Sequence, residues 1–131
     1  MDSRIPRMAH PQFTCSVSVV YLPEQSQPQA HVHAFAYTVT IVNSGDITAQ
    51  LVARRWLVTD ANGKIEEVRG LAVVGHQPLL KPGEKFEYTS WTRIATPQGT
   101  MRGTYYCMTE DARAFEAPIP EFQLVYPGLL H

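Results

Sequence analysis

The chain has 131 residues, 44% of them hydrophobic and 18% charged, with a formal net charge of −1. This length suits one domain over residues 1–131 with one core, folding without metal or disulfide staples. The balanced charge gives no electrostatic grip on nucleic acid or acidic membranes, and no apolar run resembles a secretory signal or a membrane span, so a cytoplasmic protein is expected.

Residues 1–11 read as a loose leader, because Pro6 and Pro11 interrupt a mixed polar stretch. Phe13, Cys15, Val17, Val19 and Tyr21 then alternate with Thr14, Ser16 and Ser18, the period of a half-buried strand. After a polar connection over residues 23–30, the clearest alternation follows. His31, His33, Phe35, Tyr37, Val39 and Ile41 share one face, with small and hydroxyl residues on the other. Asn43-Ser44-Gly45-Asp46 ends that strand in a turn. Between residues 49 and 60 the alternation is noisier, with Leu51 and Leu57 on one side and Val52, Trp56 and Val58 on the other. Asp60-Ala61-Asn62-Gly63 predicts a hairpin, Asn-Gly being the pair that most readily takes a type I′ turn.

The stretch from Gly70 to Gly83 combines glycines, prolines and an unbroken apolar run. Pro78 and Pro82 exclude a helix, so it reads as a strand end crossing a loop to the next hairpin. In the following strand Phe86 and Tyr88 point inward, and Trp91 sits on the outer face beside Arg93, near Trp56 if the strands pair as expected. Pro97-Gln98-Gly99 turns the chain into the alternation of Met101, Gly103, Tyr105 and Cys107. In the last strand, Phe115, Ala117 and Ile119 point one way and Phe122 and Leu124 take the other parity. Pro118 and Pro120 sit where that parity changes, which predicts a bulged edge strand. Edge strands can pair between copies or be blunted, as by Pro118 and Pro120, and the sequence carries no signal that separates the two. No window shows a helical period. The pattern predicts an all-β antiparallel sandwich of seven to eight strands.

Several blocks occur together in one order: Gly70…Val73-Val74-Gly75-x-Gln77-Pro78, Pro82-Gly83-Glu84, Tyr88-Thr89-Ser90, Phe35-Ala36-Tyr37-x-Val39-x-Ile41-x-Asn43, Arg54-x-Trp56, Gly99-x-Met101-x-Gly103-x-Tyr105 and Ile119-Pro120-x-Phe122. On these blocks, from about Tyr21 to His131, the chain resembles the ApaG domain family. The resemblance implies a fibronectin type III-like, immunoglobulin-like sandwich. It also implies a connection with cobalt and magnesium resistance and with diadenosine tetraphosphate metabolism. ApaG-like domains recur in F-box substrate-recognition proteins and in a polymerase-delta-interacting protein, which implies adaptor use.

Candidate chemistry is sparse. Gly70-x-x-x-x-Gly75 resembles a phosphate-binding glycine loop, and the family often has Gly-x-Gly-x-x-Gly here. This chain has Ala72 at the middle glycine, and without a following helix only a small nest of backbone amides remains. Arg69, Gly70, Ala72, Gly75 and Lys81 are the candidate contacts for pyrophosphate or a nucleotide. His31 and His33 form a weak metal pair that needs a third ligand such as His76 or His131. His33 also stands where the resemblance predicts an aromatic residue. Cys15 and Cys107 read as reduced, buried thiols, a disulfide between them being the less favoured alternative. Ser90, Cys15 and Cys107 have no nucleophile elbow around them, and no paired carboxylates or triad can be read. Neither an enzyme nor a cofactor is expected. Trp91 and Arg93 are the candidate surface for a protein partner, with Trp56 more naturally the core tryptophan of the sandwich.

Overall fold

The computed structural model describes residues 8–130. Eight strands follow in order: β1 Phe13–Tyr21, β2 His33–Asn43, β3 Ala49–Asp60, β4 Ile65–Leu71, β5 Leu79–Leu80, β6 Lys85–Ile94, β7 Gln98–Thr109 and β8 Ala114–Val125. Strands β1-β2-β6 form one antiparallel sheet. Strands β4-β3-β7-β8 form the other, with the short β5 pairing the start of β3. Two antiparallel sheets of this three-and-four partition make the expected fibronectin type III-like sandwich.

Alternation decides which side chains fill the space between the sheets. On β2, Phe35, Tyr37, Val39 and Ile41 are buried, and on β7 so are Met101, Tyr105 and Cys107. Trp56 lies between the sheets, its ring 5.3 Å from that of Tyr37 and 5.9 Å from that of Phe122. The Tyr88 and Tyr105 hydroxyls hydrogen-bond one another in this core, one donating and the other accepting, so each buried hydroxyl oxygen has a partner. Cys15 and Cys107 are free and buried, and burial pushes each thiol up to about 12, which leaves them protonated and unreactive at neutral pH. Buried Asn43 ties the end of β2 to its surroundings, donating to the carbonyls of Ile47 at 2.9 Å and Leu80 at 2.8 Å.

Three details differ from the sequence expectation. In β3, Leu51 faces inward together with Trp56 and Val58, because a bulge between Leu51 and Ala53 reverses the parity. The β3–β4 hairpin has a longer turn than type I′. Asp60 N–H donates to Lys64 O, Gly63 N–H donates to Asp60 O, and only Gly63 of the turn has a positive φ, 82°. The Asp60 carboxylate accepts from the N–H groups of Asn62 and Lys64, which holds Asn62 out of the left-handed region. Finally, residues 1–7 of the expected leader lie outside the described residues, whereas Ala9 and His10 are held. His10 N–H donates to the Asp46 carboxylate, and Arg113 donates to the Ala9 carbonyl at 2.9 Å. The final strand matches its prediction: β8 is an edge, and its register with β7 shifts where Ile119 gives way to Phe122.

Candidate functional site

Two regions hold the candidate residues, the loop after β4 and the outer face of the three-stranded sheet. In the loop, Val73 and His76 exchange backbone hydrogen bonds of 2.8 Å in both directions around Val74-Gly75. Both turn residues have positive φ, 42° and 82°, so the type I′ geometry belongs here rather than at Asn62-Gly63. Ala72 also has a positive φ, 66°, a conformation glycine adopts without a Cβ penalty. That explains in backbone terms why a glycine suits this position. Val73 is fully buried beneath the turn, and the loop is strapped to β3: Gln77 donates to Val52 O and Gln50 donates to Gln77 O, each at 3.0 Å.

The loop's polar groups are largely spent within the protein. The amides of Ala72, Val73 and His76 donate to protein carbonyls. The carbonyls of Leu71 and Ala72 both accept from the Arg54 guanidinium at 2.9 Å. That guanidinium lies over Gly70, where a Cβ would stand only 2.8 Å from Nη1. A side chain at position 70 would displace this flexible guanidinium and its bonds to the loop, so Arg54, singled out in sequence only as part of a family block, is the organiser of the loop. Arg69 is paired with Glu67, which also accepts from Arg55 at 3.1 and 2.9 Å. Arg69, and after it Arg55, holds the Glu67 carboxyl below its usual range. Lys81 does not converge on Arg69. Leu80 pairs with Ala49 and Arg69 with Arg55, six positions apart on β3 or about 20 Å at strand spacing.

The histidines are also separated. His31 ends a short 3-10 turn with a left-handed φ of 58°, so it does not share a strand face with His33, where β2 begins. His33 is 4% exposed, its Nδ1 is 3.4 Å from the Tyr21 hydroxyl, and its ring lies 5.2 Å from that of Tyr126. This corrects the expectation that His31 and His33 share one face of a strand. His76 packs against Phe86, at the far end of β2 from His33, and His131 lies outside the described residues. Among the described residues, no group of three or more His, Cys, Asp or Glu is placed to hold a metal ion.

Burial, and secondarily the nearby charge of His31, lowers the affinity of His33 for a proton. The unfolded chain titrates near the ordinary value of 6.5, so below that pH it binds more protons than the native state. Stability is expected to be full above this range and to fall as pH drops from 6.5 toward the lowered native value. His33→Phe, placing an aromatic ring among Tyr21 and Tyr126, is expected to remove that part of the slope. Thermal unfolding midpoints of both proteins between pH 7.5 and about 5.5 check it. Parallel slopes would show that other groups carry the acid sensitivity.

On the outer face of the three-stranded sheet, Val20 of β1 pairs with Ala36 of β2, and Ala36 with Trp91 of β6. These residues make one cross-strand apolar row, with Val20 62% and Trp91 58% exposed. The Arg93 guanidinium carbon stands 5.4 Å from the Trp91 ring centre, a cation–π contact that keeps the indole in place. A shallow depression of about 350 Å³ opens beside the row, lined by Leu22, Gln25, Ala36, Thr89, Ser90 and Trp91. The rest of this face carries Thr38 bonded to Thr89 and Thr40 bonded to Glu87, so the row is an apolar strip in polar surroundings. Trp56 belongs to the other sheet and points into the core, so the two tryptophans are not neighbours as expected.

A family model described as the ApaG domain matches residues 23–109. The chain belongs to the ApaG domain family. Protein ApaG of Ralstonia nicotianae is 58% identical over 124 residues, covering 95% of this chain and all of that protein. Protein ApaG of Thiobacillus denitrificans is 52% identical over 120 residues, 92% of this chain and 94% of that protein. A crystal structure from Bordetella pertussis, 53% identical, superposes with a TM-score of 0.87 over 89% of this chain and 95% of that chain. The ApaG membership and the small β fold fit a non-catalytic module. Among the described residues, no helix is long and apolar enough to cross a membrane.

Proposed function

We propose that this ApaG-domain chain is a non-enzymatic binding module that engages a protein partner through the outer face of its three-stranded sheet. The observation that carries this reading is the exposed row Val20-Ala36-Trp91, closed at one end by Arg93 stacked on the indole. Tryptophan and arginine are the side chains most enriched among residues that dominate interface energies, and a flat apolar strip with polar flanks suits a protein surface. The alternative, a pyrophosphate or nucleotide sensor at Arg69, Gly70, Ala72, Gly75 and Lys81, is less well supported. The loop amides named above already have acceptors, and its two cations stand far apart. The family's association with cobalt and magnesium homeostasis then runs through the partner rather than through direct coordination by His31 and His33. The setting is the cytoplasm, where the two buried thiols stay reduced.

Affinity capture with wild type and with a Trp91→Ala, Arg93→Ala variant tests the proposal. The variant is expected to lose a partner retained by wild type, with affinity reduced at least about tenfold. Equal recovery of the same proteins by both would reject this surface.

A further inference from the structure

Strand β4 is the last strand of its sheet, and its outer edge meets no strand among the described residues. It lacks the devices that blunt β8: it has no proline, and its register with β3 is unbroken from Thr59↔Ile65 to Ala53↔Leu71. Its apolar side chains Ile65, Val68 and Leu71 are all exposed, Leu71 by 73%. Which backbone groups face the open side follows from its two ends. Lys64 O accepts from Asp60 N–H, and Ala72 N–H donates to Val52 O. In an antiparallel ladder the even-numbered residues therefore turn toward β3, and Ile65, Glu67, Arg69 and Leu71 turn N–H and C=O outward.

We infer that this edge pairs antiparallel with the same edge of a second copy of the chain, about a two-fold axis at Val68. The segment Ile65-Glu66-Glu67-Val68-Arg69-Gly70-Leu71 is complementary to its own reverse in this register. Glu67 falls opposite the second copy's Arg69 and Arg69 opposite its Glu67. Ile65 meets Leu71, and Val68 meets Val68. The two paired positions carrying charge and the two carrying Ile and Leu are also the ones whose backbone groups point outward, so all four outward-facing residues of each edge enter the ladder. Moving the axis by one residue destroys the match: centred on Glu67 it opposes two carboxylates, and centred on Arg69 two guanidiniums. On the inner face, Glu66 falls opposite Gly70, the position over which the Arg54 guanidinium lies, so opposite charges meet there too. The interface is isologous and closes after two copies.

A single strand pair lies at the small end of specific interfaces, so dimerisation is expected between about 10 µM and 1 mM. Sedimentation equilibrium across that range tests it, together with Glu67→Arg and Arg69→Glu, each checked for an unchanged circular dichroism spectrum. Wild type is expected to dimerise. Each variant alone, with like charges now opposed, is expected to dissociate at least about tenfold more readily. An equimolar mixture of the two variants restores opposite charges at both positions and is expected to recover dimers that neither forms alone. In wild type, the amides of Ile65, Glu67, Arg69 and Leu71, and not those between them, are expected to gain hydrogen-exchange protection with concentration. A wild type that stays monomeric throughout would overturn the inference and leave the edge to another protein's strand. Variants that dimerise as well as wild type, or a mixture that does not recover, would overturn it equally.

Discussion

Trp56→Ala is expected to cost about 3–5 kcal/mol, whereas Trp91→Ala is expected to stay within about 0.5 kcal/mol of wild type. The contrast follows from where each ring lies. Trp56 is 2% exposed, with its indole held between Tyr37, Tyr105 and Phe122 from strands of both sheets. Removing it opens a cavity that the close-packed aromatic neighbours cannot refill, so the lost contacts add to the lost transfer energy. Trp91 projects from the outer face of β6, touching Arg93 and the Ala36 row, and its truncation leaves the core intact. For a chain of this size, total stability of about 5–15 kcal/mol makes the first change a large fraction of the whole. Urea unfolding followed by far-UV circular dichroism measures both. Equal costs would mean that Trp91 belongs to the packing and not to a binding surface.

Gly103→Ala is expected to destabilise by about 3 kcal/mol, although alanine is smaller than most residues of its strand. A Cβ at this position would lie 2.4 Å from the Arg55 carbonyl oxygen, 3.1 Å from Cε3 of Trp56 and 3.2 Å from Cδ1 of Ile119. The first contact is with backbone of the neighbouring strand, so relief requires β3 and β7 to move apart where Trp56 pairs with Gly103. The added methyl thus disturbs the same core seam that Trp56 fills. Gly75→Ala provides the comparison. Nothing lies within 4 Å of a Cβ there, and only the positive φ of 82° opposes the change, for about 1 kcal/mol. Thermal and urea unfolding of the two variants separates crowding from backbone strain. A Gly103→Ala protein as stable as wild type would place the β3–β7 contact elsewhere.

The sandwich was legible because period-two alternation survives wherever one face is buried, as in Phe35, Tyr37, Val39 and Ile41. The edge character of β8 was legible as well, since Pro118 and Pro120 remove ladder donors. The bulge at Val52 left no comparable mark. It places Leu51 and Trp56 on one side through a backbone irregularity that any residue can adopt, so counting parity through it reversed half of β3. His31 looked like the first residue of a strand because a single histidine carries no signal for the left-handed turn it occupies. The expected closeness of Trp56 and Trp91 failed because sequence neighbours among strands do not reveal sheet membership: β3 and β6 lie in different sheets. The row Val20-Ala36-Trp91 draws one residue from each of three strands far apart in sequence, and only the register aligns them. Trp91 and Arg93, two residues apart on one strand, were visible as a pair; their neighbours were not.

The most direct measurement is site-specific photo-crosslinking in the cells that naturally make the protein, with benzoylphenylalanine in place of Gln25 or of Val74. Both positions are exposed, Gln25 beside the Trp91 depression and Val74 at the tip of the loop after β4. A binding module that uses the outer sheet face predicts a discrete adduct from position 25, abolished by Trp91→Ala, and none with a different protein from position 74. An adduct with a different protein from position 74, or one from position 25 that survives Trp91→Ala, would contradict it; an adduct between two copies of the chain from position 74 belongs to the β4 edge and does not bear on this face.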